Sequence, residues 1–177
     1  MNYTTQNSLL LNNLLHFYNK NNNIDKILPI INGESIISLR LVDWFVTNYS
    51  KKNYTIINNE KRFKVYTDYK LKLKAYSKRR FDPFCRWDRI TIPYKQNISI
   101  QTTIGQLNFF RWLLENNIIS HIKEHLELIN LDMNKRNSTS KNKLKNKNKT
   151  RKKREELSVL ASKSIKKEQV KIIVEFK

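Results

Sequence analysis

Two apolar stripes with helical spacing follow one another in residues 101–133. The first contains Ile104, Leu107, Phe110, Leu113 and Leu114. The second contains Ile119, Ile122, Leu126, Ile129 and Met133. Apolar residues repeated at intervals of three and four share one face of an α-helix, and Thr102 or Thr103 can cap the first helix through its hydroxyl. With Asn116-Asn117 as the break, the pattern predicts a helical hairpin whose apolar faces must be covered by the rest of the chain.

Three further segments can supply that cover. Residues 35–49 are apolar nearly all round, which is typical of an interior helix, and Ser35 is the predicted N-cap. Residues 8–18 predict a short helix with one apolar face. Residues 89–94 and 97–101 alternate between apolar and polar side chains, so they predict a β-hairpin. We expect the interior helix to pack against the helical hairpin.

Two other segments are less regular. The polar, Asn-rich residues 19–25 predict a flexible connector, and Asn32-Gly33 predicts a turn. Residues 63–76 fit both the alternation of a strand and the face of a helix. Our interpretation is a short strand at residues 63–66 followed by a helix to about Lys78. Both conformations present a basic face to solvent.

The composition changes after Met133. Residues 134–154 contain 11 Lys or Arg and no acidic residue, so this stretch cannot bury enough apolar surface to fold alone. A weak helical pattern covers residues 155–165, and a terminal strand is predicted from the alternation of Val170, Ile172, Val174 and Phe176. The predicted organisation is a globular domain at 1–133, a disordered basic linker at 134–154 and a helix-strand segment at 155–177. The predicted fold class is α+β, predominantly α-helical, with a short β-hairpin or small sheet.

The formal net charge of +20 restricts the partners more than the fold. It favours nucleic acid, an anionic membrane surface or an acidic protein. The content of only two glycines argues against P-loop and dinucleotide-binding folds, whose phosphate loops need glycine. The single cysteine, Cys85, excludes an intramolecular disulfide and fits a reducing compartment. No apolar run approaches the roughly 20 residues of a transmembrane segment, and no secretory leader is evident, so we expect an intracellular protein.

Residues 61–89 mix 11 Lys or Arg with seven aromatic residues. Cationic side chains neutralise phosphates, and aromatic faces stack on exposed bases. In the alternative interpretation, the aromatic residues form the core and the basic residues are solvated or meet an acidic protein. The predicted nucleic-acid contacts in this block flank the Pro83 turn and are Lys78, Arg79, Arg80, Arg86 and Arg89.

A second set of predicted nucleic-acid contacts lies in the basic linker. It consists of Lys141, Lys143, Lys145, Lys147, Lys149, Arg151, Lys152, Lys153 and Arg154. A flexible lysine tract binds phosphates and does not read base edges, so the predicted binding depends on salt and not on base sequence. Two alternatives are a nuclear-import signal at residues 151–154 and a contribution to solubility.

His121, Glu124 and His125 match H-x-x-E-H, a zinc-protease pattern. Two histidines four residues apart on a helix can bind zinc, and Glu124 can act as a base. A third, distant ligand is not evident apart from Glu127, and short matches arise easily in a chain of biased composition. Cys85 has no histidine nearby in sequence and is interpreted as buried packing. We therefore assign no catalytic residue, metal or cofactor, and we expect a protein that is not an enzyme.

Gly105 stands near the start of a predicted helix. Glycine costs stability in a helix relative to alanine, so its presence needs a reason. We expect that something approaches the backbone closely at this position.

Four segments are distinctive: residues 81–86 (FDPFCR), 102–112 (TTIGQLNFFRW) with Glu115-Asn116, 154–158 (REELS) and 170–174 (VKIIV). Together they resemble a family of uncharacterised proteins from giant nucleocytoplasmic DNA viruses, over roughly residues 35–133 and the C-terminal end. The resemblance carries no activity and no site residues. It implies a viral protein that acts inside an infected cell, in the viral factory, the nucleus or the virion.

Two functional hypotheses follow. The leading one is non-catalytic binding of DNA or RNA, largely independent of sequence, by residues 61–89 and 134–154. The alternative is a virion structural or protein-interaction module. In that case the strand from Val170 to Phe176 docks on the sheet of a viral partner, and the basic surface meets acidic ones.

Overall fold

The computed structural model describes residues 5–53, 55–57, 61–95, 98–145 and 167–169. Its α-helices are α1 (Gln6–Asn19), α2 (Asn23–Asn32), α3 (Leu39–Trp44), α4 (Ser50–Lys52), α5 (Val65–Arg80), α6 (Ile104–Glu115), α7 (Ile118–Glu124) and α8 (Leu126–Lys145). Its strands are β1 (Thr55–Ile57), β2 (Lys61–Phe63), β3 (Arg89–Lys95), β4 (Ile98–Thr103) and β5 (Lys167–Gln169). A 3-10 turn (Lys20–Asn22) joins α1 to α2, and a π-helical turn (Phe45–Tyr49) joins α3 to α4. Within these ranges, no helix has both the length and the apolar character that a membrane span requires.

Helices enclose the core, and the sheets are small, so the predicted α+β class with predominant helix is confirmed. The largest fully buried side chains include Phe45, Phe81, Phe109 and Phe110. Hydrogen bonds connect α6 to α1 and α5. The Tyr18 hydroxyl on α1 donates to the carbonyl of Leu107 at 2.7 Å, and the Trp112 indole N–H donates to Asp68 on α5 at 2.6 Å. The first predicted apolar stripe therefore faces the centre of the molecule.

The N-terminal helices confirm one prediction and correct another. α1 covers the helix predicted at residues 8–18. α2 shows that the connector predicted at residues 19–25 is wrong, because the helix begins at Asn23 although Pro29 lies inside it. The buried aliphatic residues of α2 are Ile27, Leu28, Ile30 and Ile31. Their burial contributes about 1.5–3 kcal/mol each, which outweighs the roughly 3 kcal/mol cost of an internal proline.

The interior helix predicted at residues 35–49 is present as α3 and the π-helical turn. Its N-cap is Ser38 and not Ser35. The Ser38 side chain accepts the backbone N–H three residues later, whereas the Ser35 hydroxyl accepts an N–H within the preceding turn. Phe45 is fully buried, and its ring centroid lies 5.7 Å from that of His121 on α7. The predicted packing of this helix against the helical hairpin is therefore confirmed.

The helical hairpin is confirmed, with one more break than predicted. Thr103 caps α6 by accepting the N–H of Gln106 at 3.1 Å. Asn117 makes the predicted break in a left-handed conformation with φ of 52°. The second predicted helix is divided, because α7 ends at Glu124 and His125 departs from helical geometry with φ −112° and ψ 23°.

α8 crosses the predicted domain boundary at residue 133 and continues to Lys145. The structure therefore differs from the predicted disorder as far as Lys145, while residues 146–154 lie outside the described ranges. Contacts with α3 give the reason. The Trp44 indole N–H donates to Asp132 at 3.0 Å, and the Arg136 guanidinium lies 5.5 Å from the centroid of the Trp44 ring. These contacts hold α8 on both sides of Met133, so the helix continues into the basic sequence. The division into three domains stays a prediction.

Both sheets are antiparallel. β1 pairs with β2, while β4 lies between β3 and β5 in the second sheet. β3 and β4 confirm the predicted hairpin and pair the buried residues Ile92 and Ile100. β5 pairs with the start of β4, with Gln169 opposite Ile98. The helix predicted at residues 155–165 and the strand predicted at 170–176 lie outside the described residues.

The ambiguous residues 63–76 belong almost entirely to α5. β2 ends at Phe63 and α5 begins at Val65, so the strand ends earlier than predicted. α5 is kinked at Ser77, which has φ of 61° and ψ of 168°. That backbone region is occupied almost only by glycine. The basic residues from Lys78 to Arg80 therefore follow a strained kink.

Candidate nucleic-acid interface

Residues 81–86 leave α5 and dock on the first turn of α6. The backbone N–H of Asp82 donates to the carbonyl of Gly105 at 3.2 Å. A Cβ atom at Gly105 would lie 2.9 Å from the carbonyl oxygen of Arg79 and 3.3 Å from the amide nitrogen of Phe81. The missing side chain thus allows the two segments to meet, which confirms the close backbone approach predicted at Gly105.

Two amide side chains of α6, Gln106 and Asn108, form hydrogen bonds with the backbone around this segment. Nε2 of Gln106 donates to the carbonyl of Pro83 at 2.9 Å, and Oε1 accepts the Thr102 hydroxyl at 3.0 Å. Nδ2 of Asn108 donates to the carbonyl of Arg80 at 2.9 Å. Leaving a buried polar group without a partner costs about 1–3 kcal/mol. These hydrogen bonds therefore fix the backbone conformation of the residues that carry the basic side chains.

Arg86 is paired with a buried carboxylate. Its Nε and Nη2 atoms each donate to Asp82 at 2.8 Å, and the Asp82 side chain is 3% exposed. Asp82 also accepts the N–H of Phe84 at 3.2 Å. Separating the pair would leave a buried charge without compensation. Arg86 thus stabilises the turn, and its predicted contact with phosphate stays a prediction.

Arg79 and Arg89 lie at the surface around the same turn. Arg79 pairs with Asp88 at 2.6 Å, and the two side chains are 62% and 82% exposed. Arg89 donates to Gln101 on the neighbouring strand β4 at 3.1 Å. The Arg79–Asp88 pair brings the end of α5 to the segment that enters β3. Arg79 and Arg89 are therefore both exposed cations close in sequence to the turn.

Lys78 and Arg80 differ in their contacts. Lys78 is exposed. Arg80 reaches α1, where its Nε donates to Asn7 at 2.7 Å and its Nη1 donates to Gln6 at 3.0 Å. Arg80 therefore connects two helices, while Lys78 extends the basic surface beside Arg79.

Trp87 is an exposed aromatic residue on this surface that the sequence prediction of contacts did not include. It is 43% exposed and precedes Asp88, the partner of Arg79. Phe81 and Phe84 are buried, and Tyr69 and Tyr76 pack partly buried against the core, so four of the seven aromatic residues fit the interpretation in which aromatic residues of this block form the core. Trp87 stands between Arg86 and Asp88, but the apolar residues Phe84 and Ile90 lie three positions away on either side, so the sequence does not distinguish it from a buried ring.

A row of lysines follows the exposed face of α5. We call Lys70, Lys74 and Lys78 the α5 lysine row. All three are exposed, and none has an acidic partner among the residues that the structure describes. Lys70 and Lys74 are four residues apart and share one face of the helix. Exposed cations thus occur along α5 as well as after its kink at Ser77.

A small pocket lies at the other end of α5. It has a volume of about 180 Å³ and is lined in part by Lys51, Lys52, Lys64, Tyr66 and Thr67. Nζ of Lys51 lies 5.8 Å from the centroid of the Tyr66 ring. The N-terminus of a helix also carries a partial positive charge. Cationic groups therefore occur at both ends of α5.

Burial raises the pKa values of three groups near the turn: Asp43, Tyr69 and Cys85. Burial and the negative charge of Asp82 raise the pKa of Asp43 to about 6, against the lowering effect of Arg86. Burial and the same two carboxylates raise the pKa of Tyr69 to about 12. Burial also raises the pKa of the Cys85 thiol, so this cysteine is protonated at neutral pH and packs as an apolar group.

The basic linker is described only in part. The backbone of Lys141, Lys143 and Lys145 belongs to α8. The remaining predicted contacts lie outside the described residues and are Lys147, Lys149, Arg151, Lys152, Lys153 and Arg154. Their binding to nucleic acid stays a prediction.

A separate polar cluster occupies the break between α7 and α8. Ligand atoms of His121, Glu124 and His125 lie within 4.8 Å of one another. The two imidazole rings stack with centroids 4.2 Å apart, and Nδ1 of His125 lies 3.1 Å from the carbonyl oxygen of His121. Burial and the neighbouring His125 lower the pKa of His121, against the effect of Glu124. The structure thus brings together three side chains to which no metal was assigned from the sequence.

Comparisons with known proteins give a viral relative. The chain is 48% identical over 127 residues to "Uncharacterized protein L507" of Acanthamoeba polyphaga mimivirus. The match covers 66% of this chain and 48% of the relative, so the chain spans about half the length of that protein. No solved structure matches the chain.

The resemblance to a family of giant-virus proteins is borne out at the level of the family. A protein-family model also matches the chain, and this match includes the N-terminus and the basic linker, which lay outside the resemblance. Because it extends over residues 2–175, nearly the whole sequence, the chain belongs to the family described as "Family of unknown function (DUF7197)".

Proposed function

We propose that the protein binds nucleic acid without catalysis, mainly through phosphates and independently of base sequence. The carrying observation is the exposure of the cationic side chains of the α5 lysine row, Arg79 and Arg89, together with that of the Trp87 ring. Lysine and arginine neutralise phosphates and release counterions, which supplies most of non-specific affinity. The viral relative and the basic linker are consistent with action on viral DNA or RNA inside an infected cell.

The Arg79–Asp88 ion pair does not oppose this proposal. Both side chains are largely exposed, and exposed ion pairs contribute only about 0–1 kcal/mol. A phosphate can therefore replace the carboxylate at little cost. Trp87 adds a ring on which an unpaired base can stack, worth about 1–3 kcal/mol per base. The surface thus suits single strands better than duplexes.

The test is a binding measurement over a salt series. Fluorescence anisotropy of labelled single-stranded and duplex oligonucleotides gives the slope of log affinity against log salt. Lys70→Gln with Lys74→Gln should reduce the magnitude of that slope by about 1.4 on single strands, because each lost phosphate contact changes it by about 0.7. The matched control is Lys20→Gln with Lys26→Gln, which removes equal charge from exposed residues away from α5. Affinity indifferent to salt, or equal losses in both double variants, would reject the proposal.

Trp87→Ala separates stacking from charge. We expect weaker binding to the single strand, by about 1–3 kcal/mol, and little change with the duplex. Leu128→Ala is the control, because Leu128 is also a large exposed apolar residue, at 57% exposure. Equal effects on the two forms of nucleic acid would remove Trp87 from the interface.

The second candidate is a protein-interaction module, and the register of β5 favours it. With Gln169 opposite Ile98, β5 runs toward the first residue of β4. A strand continuing past Gln169 in this register would pass that end of β4, and its backbone groups would need another partner. Strand addition to a partner sheet would supply it. Co-purification of a viral protein that survives nuclease treatment, and is lost on deletion of residues 170–177, supports this alternative.

A further inference from the structure

We propose that His121, Glu124 and His125 bind one zinc-class divalent cation at the junction of α7 and α8. Two imidazole nitrogens and one carboxylate are ligands that Zn²⁺ accepts, with a water as the fourth. The proposal is independent of nucleic-acid binding. It concerns a binding site that stabilises structure and does not involve catalysis.

The ligand geometry supports the site. The ligand atoms lie within 4.8 Å of one another, whereas ligands around tetrahedral zinc lie about 3.3 Å apart, given bond lengths of about 2.0–2.2 Å. Side-chain rotation can close this gap, because Glu124 is exposed and both histidines are only half-buried. The backbone therefore already brings all three ligands to one ion.

A backbone contact prepares His125 for coordination. Its Nδ1 lies 3.1 Å from the carbonyl oxygen of His121, so an Nδ1–H donates to that oxygen and Nε2 keeps its lone pair. Metal-bound histidines commonly donate their other ring N–H to a carbonyl or carboxylate in this way, which fixes the tautomer and ring orientation.

His121 is positioned by the core. Its ring centroid lies 5.7 Å from that of the fully buried Phe45. One face of the imidazole is thus held by packing, while the stacked His125 lies 4.2 Å away. A ligand with restricted motion loses less entropy when it binds an ion.

The place of the cluster indicates the role of the metal. α7 supplies His121 and Glu124, and His125 is the non-helical residue before α8. A bound ion would therefore connect α7 to His125 at the helix break and restrict the direction of α8 relative to α7. α8 carries the first basic residues of the linker, so the metal would fix the base of that segment.

The experiment is zinc titration of the untagged full chain by calorimetry at neutral pH. We expect one zinc per chain for the natural sequence. His125→Ala and Glu124→Gln should each weaken binding by about tenfold or more, since losing even an outer partner of a metal ligand costs about 10–100-fold. His16→Ala is the matched control and should bind zinc normally, because His16 is the chain's other histidine and lies on α1.

Cobalt and thermal melting give independent readings. Co²⁺ should produce the intense visible absorption of a tetrahedral site in the natural chain and not in His125→Ala. Zinc should raise the melting temperature of the natural chain and leave that of the variant unchanged, because a ligand that binds only the folded state stabilises it. Circular dichroism checks that the variants fold. No saturable zinc binding, or binding that His125→Ala leaves intact, would overturn the proposal.

Discussion

At Gly105 a single missing side chain decides how two segments pack. Alanine there would place its Cβ 2.9 Å from the carbonyl oxygen of Arg79 and 3.3 Å from the amide nitrogen of Phe81. Both are backbone atoms, so neither can rotate away. Although alanine has the better helix propensity by about 1 kcal/mol, we expect Gly105→Ala to lower the free energy of unfolding by about 1–3 kcal/mol. Urea denaturation measures the difference.

Gly33→Asn is the control for this substitution. Gly33 has φ of 76°, and a Cβ there meets nothing within 4 Å. Asparagine tolerates the left-handed conformation, so the variant should remain close to the natural chain in stability. If Gly105→Ala is as stable as the control, the close approach at α6 does not constrain the fold.

Asp43 should make stability depend on pH. Burial raises its pKa in the folded state from the ordinary value of 3.8 to about 6. A carboxyl group with a raised folded pKa favours the folded state fully below its unfolded pKa, and this contribution is lost as pH rises through about 6. Asp43→Asn should therefore stabilise the chain at pH values above about 7, by up to about 3 kcal/mol, and have little effect near about pH 4. Denaturation curves of both chains across this range test the sign, and a larger gain in acid would contradict it.

Individual residues differ in how far the sequence predicts them. Gly105 and Thr103 were predictable because glycine inside a helix needs a packing reason and threonine is a preferred N-cap residue. The role of Arg86 was not, because pairing with Asp82 depends on the turn that Pro83 and the α6 amides create. The sequence also does not separate Trp87 from the buried aromatic residues near it, and only the fold shows that its ring is exposed.

Among the elements, α5 stores strain at its kink. Ser77 has φ of 61° and ψ of 168° and is exposed. Such a conformation costs a residue other than glycine about 1–3 kcal/mol. Ser77→Gly should therefore raise the free energy of unfolding by about 1 kcal/mol. Thermal and urea unfolding measure the gain.

Ala75→Gly is the control for this substitution and should lower stability on the same helix. Ala75 is exposed and helical, two residues before the kink, and glycine at a helical position costs about 1 kcal/mol. The two glycine substitutions should change stability with opposite signs. Equal losses at both positions would show that Ser77 is not strained in solution.

Elements were predictable where the sequence has a regular apolar pattern bounded by polar or turn residues. This holds for α1, α6 and the β3–β4 hairpin. α2 was not predicted, because an internal proline and adjacent asparagines are strong local signals against helix, and only burial overrides them. The sequence predicted that the helix now called α8 ends at residue 133, which is too early. The helix continues because Trp44, which is distant in sequence, contacts Asp132 and Arg136.

For the whole molecule, charge should oppose folding. A net charge of +20 on 177 residues produces self-repulsion in the compact state. Salt screens this repulsion, and the screening length falls to about 10 Å at 0.1 M. We expect the melting temperature to rise as sodium chloride increases from about 0.02 to about 0.3 M, by about 2–4 °C for each 1 kcal/mol gained. An uncharged sugar at equal osmolality is the control, and a temperature that falls with salt would contradict the expectation.

At this scale the sequence predicted the class of fold better than the arrangement of its elements, and the kind of partner stays a prediction. Charge is a sum over residues and needs no structure. The meeting of Arg79 and Asp88 beside an exposed Trp87 depends on how α5, the turn and β3 are packed. The histidine cluster is an intermediate case, since its spacing is visible in the sequence, but its backbone contact and its place at a helix break are not.

The chain leaves its folded body through α8, which ends at Lys145, and rejoins it through β5, which begins at Lys167 and pairs with β4. The predicted contacts from Lys147 to Arg154 therefore stand between two segments that pair with the folded body. If these cations bind nucleic acid as proposed, attachment on both sides keeps them at a high effective concentration near the cations of the body. A bound polyanion would then meet the second set of cations in an intramolecular step. A single proteolytic cut between Lys145 and Lys167 should weaken binding while every cation remains in the chain.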